Sequence, residues 1–98
     1  MISQLINKQG NAVANQFVIT EGTRVSFQSY NSLVAVYDTE NNVLTFGCDW
    51  DYSNTTTKHL STFLADFVGV DVHSKEIRKA IVDGTVNGIT VVYDGGMR

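Results

Sequence analysis

Proline is absent from this 98-residue chain, so no rigid linker or proline-marked hinge divides it. The single cysteine, Cys48, excludes an intramolecular disulfide framework and any zinc site built from several thiolates. Charge is sparse, at 17% of residues with a net of −3, and only Lys75, Arg78 and Lys79 cluster among the seven basic residues. Neutralising phosphates needs a dense Lys/Arg footprint, so direct nucleic-acid binding is not expected. No apolar run approaches the roughly 18 residues of a membrane span, and the opening residues 1–6 are too short and polar for a secretory leader. The expected compartment is the cytoplasm, without membrane attachment. Phosphate loops, dinucleotide fingerprints, calcium loops and HExxH are all missing.

What is present is ordinary globular composition, 43% hydrophobic, in a length that suits one domain spanning 1–98. The first half alternates with the period of strands. Residues 3–6 suit a short strand, followed by a polar loop at 7–11. In residues 15–20, Phe17 and Ile19 share one face and Gln16 and Val18 the other. Residues 23–30 continue the alternation after a turn at Glu21-Gly22, and 33–37 are apolar on both faces. The polar stretch 38–42 reads as a hairpin loop before a returning strand at 43–46.

The period then changes. Leu60, Phe63, Leu64, Phe67 and Val68 fall on one helical stripe, with Ser53 or Asn54 as N-cap and Gly69 as terminator. A second helix is predicted from an N-cap at Ser74 to Gly84, with Ile77, Ala80 and Ile81 as its apolar side. Asn87-Gly88 reads as a tight turn or strand entry, 89–93 as a last strand, and 94–98 as a flexible tail. The expected fold is α+β: an antiparallel meander of three or four strands, two helices packed on one face, and a C-terminal strand.

Chemistry-bearing residues concentrate at 48–59. On an extended segment Asp49 and Asp51 would share a face, as a cation site or an acid–base pair; the plainer reading has one in solvent and one capping backbone N–H groups. Cys48 and His59 invite comparison with a nucleophilic pair, but no thiol-hydrolase signature surrounds them. His73 precedes a helix and suits a capping role. Neither a catalytic set nor a metal site nor a cofactor is assigned. Among the aromatics, Tyr37 and Trp50 suit the core. Tyr30 and Tyr52 have polar neighbours and suit exposed contacts.

Three blocks carry a family resemblance: Gly10-Asn11-Ala12-Val13-Ala14-Asn15-Gln16-Phe17-Val18-Ile19, then Phe27-Gln28-Ser29-Tyr30-Asn31-Ser32, then Trp50-Asp51-Tyr52-Ser53 with Thr55, Thr56 and Lys58 before Phe63-Leu64. Together they resemble a family of small uncharacterised proteins carried by phages, plasmids and integrated elements of Gram-positive and gut bacteria. The resemblance spans residues 8–64, beyond which the chain departs from relatives that carry a shorter, more charged tail. It implies a mobile-element origin, where small acidic proteins often act by stoichiometric binding and anti-CRISPR inhibitors are a prominent class.

The leading expectation is therefore a non-catalytic inhibitor that contacts a host defence protein such as a CRISPR effector nuclease. Glu21, Asp38, Glu40, Asp49 and Asp51 would meet a basic channel, Tyr30 and Tyr52 would anchor, and Asn54 and Thr55 would add polar contacts. One alternative is a homo-oligomeric sponge or sensor for a nucleotide signal, stacking a base near residues 52–57. A hydrolase using Cys48 and His59 is the other.

Overall fold

The computed structural model describes all 98 residues. Five strands follow in succession: β1 (Ile2–Ile6), β2 (Ala12–Glu21), β3 (Arg24–Ser29), β4 (Ser32–Asp38) and β5 (Val43–Gly47). Each pairs antiparallel with its predecessor, so the meander holds five strands and takes in the short first one. Helix α1 (Asn54–Phe63) runs into a π-helical turn (Leu64–Val68), and α2 (Ser74–Asp83) leads to β6 (Thr85–Val86) and β7 (Ile89–Asp94). The sheet order is β1-β2-β3-β4-β5-β7-β6, with β7 parallel to β5. The architecture is α+β, a mostly antiparallel sheet with two helices and a C-terminal strand.

Register decides which face of the sheet is buried. Val18, Phe27, Ala35 and Phe46 lie opposite one another across β2 to β5, and all four are buried. They form a row beneath Leu60, Phe63 and Leu64, which are fully enclosed. Because β2 is apolar on both faces, its own alternation does not select the inner one; pairing with Phe27 does. Gln16 and Val18 therefore face inward, while Phe17 and Ile19 lie half-buried on the opposite face. That outer face carries an uncharged row, Ile2, Ile19, Ser26, Val36, Thr45 and Val92.

Ser53 caps α1: its backbone is extended and its Oγ accepts from the Thr56 N–H at 3.1 Å. The expected apolar stripe holds through Leu64 and then turns outward. The Gly69 N–H reaches back five residues to the Leu64 carbonyl at 2.8 Å, the signature of π geometry. This wider turn carries Phe67 to the edge, 43% exposed, although its ring still stacks on Phe63 at 5.4 Å.

The N-cap of α2 is His73, one residue earlier than the Ser74 the sequence suggests. Its N–H donates to the Glu76 carboxylate at 2.9 Å, and that bond fixes the start. Gly69 and Gly84 both end their helices in the left-handed conformation. Asn87 and Gly88 both take positive φ, as a tight two-residue hairpin between β6 and β7 requires. The terminal residues turn back on the sheet, with the Met97 carbonyl accepting from the Cys48 N–H at 3.1 Å. No helix is long and apolar enough to cross a membrane.

Candidate binding cleft

The β3–β4 turn is unusual in its central residue. Tyr30 has φ +53°, in the left-handed region where a bulky side chain is disfavoured by about 1–2 kcal/mol. Two hydrogen bonds to its backbone groups hold it there. Its N–H donates to the Asn15 carbonyl at 2.7 Å, and its own carbonyl accepts from Gln28 Nε2 at 2.8 Å. The ring gains little burial in return, being 60% exposed.

The β5–α1 connector approaches this turn from the other side. It consists of successive tight turns, with the Trp50 N–H donating to the Gly47 carbonyl at 3.2 Å and the Tyr52 N–H to the Asp49 carbonyl at 3.1 Å. Trp50 fixes the connector to the core: it is 4% exposed, with its ring 6.3 Å from Phe46. Tyr52 is thrown outward and is 80% exposed. The Ser32 hydroxyl ties the two segments together by donating to Asp49 Oδ2 at 2.9 Å.

Between turn and connector lies a cleft of about 540 Å³. Tyr30, Asn31 and Ser32 form one wall, and Asp49, Tyr52, Ser53 and Thr56 the other, with Ser29 and Val34 below. The lining contains no basic residue, and Asp49 belongs to no ion pair. Ser29 and Thr56 are buried at 4% and 5% exposure. Opposite Ser29 in the β2–β3 ladder, Gln16 is 1% exposed and its Oε1 has no hydrogen-bond partner.

Asp49 and Asp51 do not share a face. The expectation of a paired carboxylate site assumed an extended segment, whereas the chain turns twice between residues 47 and 52. Asp51 points instead to Arg78 of α2, with Oδ2 3.6 Å from Nη2, and the Arg78 guanidinium lies 5.2 Å from the Trp50 ring centre. Asn54 joins Asp51 and Arg78 around a second, adjoining cleft of about 400 Å³. Thr55 is exposed on the first turn of α1 and lines neither cleft.

The other acidic candidates lie elsewhere. Glu21 lies across the β2–β3 ladder from Arg24, and Asp38 across the β3–β4 ladder from it, at the end of β3 opposite Tyr30. The length of β3, about 17 Å at 3.4 Å per residue, separates them from the cleft. The Asp38 carboxylate is occupied within its own loop, accepting from the Asn41 side chain and from the Glu40 and Asn41 N–H groups, and these bonds hold its pKa below the ordinary 3.8. Glu40 is exposed in the same loop. A single acidic and aromatic surface drawn from both ends is therefore not assembled.

Cys48 and His59 are not hydrogen-bonded to one another. The thiol lies 3.7 Å from Asp49 Oδ1, and the half-buried cysteine lines none of the clefts described. His59 is buried on α1 with Nδ1 unpartnered; burial, aided by the neighbouring Lys58, keeps its pKa below the ordinary 6.5. It borders a different cleft of about 250 Å³ with Lys8, Asp71 and His73.

Sequence reasoning missed Ser29, Asn31, Ser32 and Val34, because their place in the cleft depends on contact between segments far apart in the chain. A local signal did exist. Tyr30-Asn31-Ser32 and Tyr52-Ser53 both place a tyrosine ahead of small turn-forming residues, and both form walls of one cleft.

No curated protein and no solved structure matches the chain. A family model matches residues 1–84, a span that includes every residue of the cleft and both helices and stops before β6 and β7. The chain belongs to that family, described as a family of unknown function (DUF8033).

Proposed function

We propose that this is a non-catalytic binding protein of a phage or other mobile element. In this reading it inhibits a host defence component, such as a CRISPR effector nuclease, by protein–protein contact in the host cytoplasm. The observation that carries the binding role is the pair Tyr30 and Tyr52, 60% and 80% exposed on opposite walls of one cleft. Tyrosines give large contact area at small cost in side-chain entropy, and exposed ones around a concave site are natural anchors for a partner. The strained backbone of Tyr30 supports the same role, since strain at an exposed residue brings no packing gain. The defence target rests on the resemblance of residues 8–64 to mobile-element proteins. With a net charge of only −3, a local contact fits better than extended mimicry of nucleic acid.

The test is co-purification with CRISPR effector complexes, followed by a cleavage assay. Stable binding with suppressed cleavage is expected. Unimpeded cleavage without binding, across the effector types of suitable hosts, would refute the reading.

The same cleft favours a second reading, a sponge or sensor for a nucleotide signal. A volume of about 540 Å³ falls within the range of small-molecule pockets, and two phenol rings with several hydroxyls suit a base and sugar. A cyclic nucleotide at 100 times its Kd would add about 2.7 kcal/mol of stability in a thermal-shift screen. Unchanged melting with every nucleotide tried would count against this function.

A further inference from the structure

We infer that the cleft between Tyr30 and Tyr52 receives an arginine side chain of the protein partner, with Asp49 as its counter-ion. The inference rests on the protein-contact reading above and names the group that the contact would recognise.

The one charged group lining the site is an acceptor, the Asp49 carboxylate. Asp49 takes one hydroxyl from Ser32 and faces the weak Cys48 thiol donor, which leaves a carboxylate with capacity for two further N–H groups. Ser29 lies at the floor, 4% exposed, with a hydroxyl able to accept. A ligand that carries positive charge and several N–H donors complements this unpaired carboxylate, and guanidinium is such a group.

The walls favour guanidinium over ammonium. Tyr30 and Tyr52 both line the cleft, and aromatic rings suit a planar, weakly hydrated cation, whereas the compact lysine head keeps its water more strongly. The chain contains the same chemistry next door. Arg78 lies 5.2 Å from the centre of the Trp50 ring and 3.6 Å from Asp51, so that aromatic–carboxylate pair has its arginine within the molecule. Asp49 and Tyr52, one residue before and after that pair, have none.

The experiment titrates the isotope-labelled protein with Nα-acetyl-arginine methylamide, alongside the citrulline and lysine counterparts. Amide shifts should concentrate at residues 29–32 and 49–56, with a dissociation constant on the order of millimolar for so small a ligand. The citrulline derivative, an uncharged near-isostere, should bind about tenfold more weakly or not at all, and lysine should fall between. Asp49→Asn should lose at least about tenfold for arginine. Equal binding of citrulline by the wild-type protein would overturn the inference, as would the absence of localised shifts with arginine. The citrulline comparison needs no variant, so a poorly folded Asp49→Asn protein leaves it decisive. Because the titration uses the isolated protein, it is independent of which defence component binds. Arginine capture without an effector partner would refute only the defence target, and effector inhibition without arginine capture would refute only this inference.

Discussion

The Ser32 hydroxyl and the Asp49 carboxylate meet at 2.9 Å, the side-chain bond that joins the β3–β4 turn to the β5–α1 connector. It does two things. It holds the walls of the cleft in register, and it orients one Asp49 oxygen while the carboxylate keeps room for a ligand. A part-buried hydrogen bond to a charged group contributes about 1.5–3 kcal/mol, with solvent exposure reducing the figure. Ser32→Ala is expected to lower unfolding free energy by about 1 kcal/mol in urea titration. It should also weaken arginine-derivative binding several-fold, less than Asp49→Asn does. Full affinity in Ser32→Ala would mean that Asp49 needs no positioning.

Tyr30 offers a trade between stability and binding. Its left-handed backbone suits glycine, and its exposed ring contributes little to packing. Tyr30→Gly should therefore leave stability within about 1 kcal/mol of wild type, with a gain from relieved strain offset by glycine's greater unfolded-state entropy. Partner binding should fall sharply. Retained binding with a large loss of stability would make Tyr30 a structural residue.

The parts of this fold that were legible in the sequence are those set by local chemistry. Leu60, Phe63 and Leu64 declare a helix by spacing, Ser53 declares its start, and Gly69, Gly84 and Asn87-Gly88 mark reversals that need positive φ. The remainder depends on distant partners. Gln16 faces inward because Val18 pairs with Phe27, and nothing in the residues of β2 announces it. The π turn, which carries Phe67 off the stripe, has no sequence signature comparable to a glycine stop. At the cleft, Tyr30 and Tyr52 could be picked out singly from their polar neighbours. Their meeting, and the parting of Asp49 from Asp51, follow from turns at 47–52 and from Trp50 burial.

Phe63 joins helix to sheet most directly. Its ring stacks on Phe27 of β3 at 5.6 Å and on Phe67 at 5.4 Å, and the residue is fully buried. Phe63→Ala is expected to cost about 3–5 kcal/mol through lost burial and an unfilled cavity. Domains of this kind have only about 5–15 kcal/mol in total, so the variant should unfold at a much lower urea midpoint. A shift equivalent to less than about 1 kcal/mol would mean that α1 repacks without it.

Gly47 is fixed by close approach. A Cβ there would lie 2.6 Å from the Met97 carbonyl oxygen and 2.7 Å from that of Leu33. The first contact involves the terminal segment and the second a neighbouring strand, so they relax differently. Gly47→Ala should destabilise by about 1–3 kcal/mol. Removing residues 95–98 from that variant should recover only part of the loss, because the Leu33 contact persists. Complete recovery would assign the whole constraint to the tail.

His59 should give the protein a pH-dependent stability of definite sign. Burial, with Lys58 beside it, holds the imidazole below its ordinary pKa of 6.5 in the folded chain. Unfolded chains take up a proton as pH falls through about 6.5, while the folded chain resists until lower pH. The contribution is therefore fully present above 6.5, declines as pH falls below it, and levels off beneath the folded-state pKa. Asp38, lowered from 3.8 by its Asn41 and Glu40 hydrogen bonds, acts in a separate, more acidic window, with stability lost as pH falls from 3.8 downward. His59→Gln replaces the ring with a neutral side chain and should flatten the slope just below pH 6.5 while leaving the acidic limb intact. Urea midpoints of both proteins from about pH 2.5 to 8 cover both windows, and their difference removes the groups they share. Identical slopes would show that the imidazole protonates in place without cost, which its buried, unpartnered Nδ1 argues against.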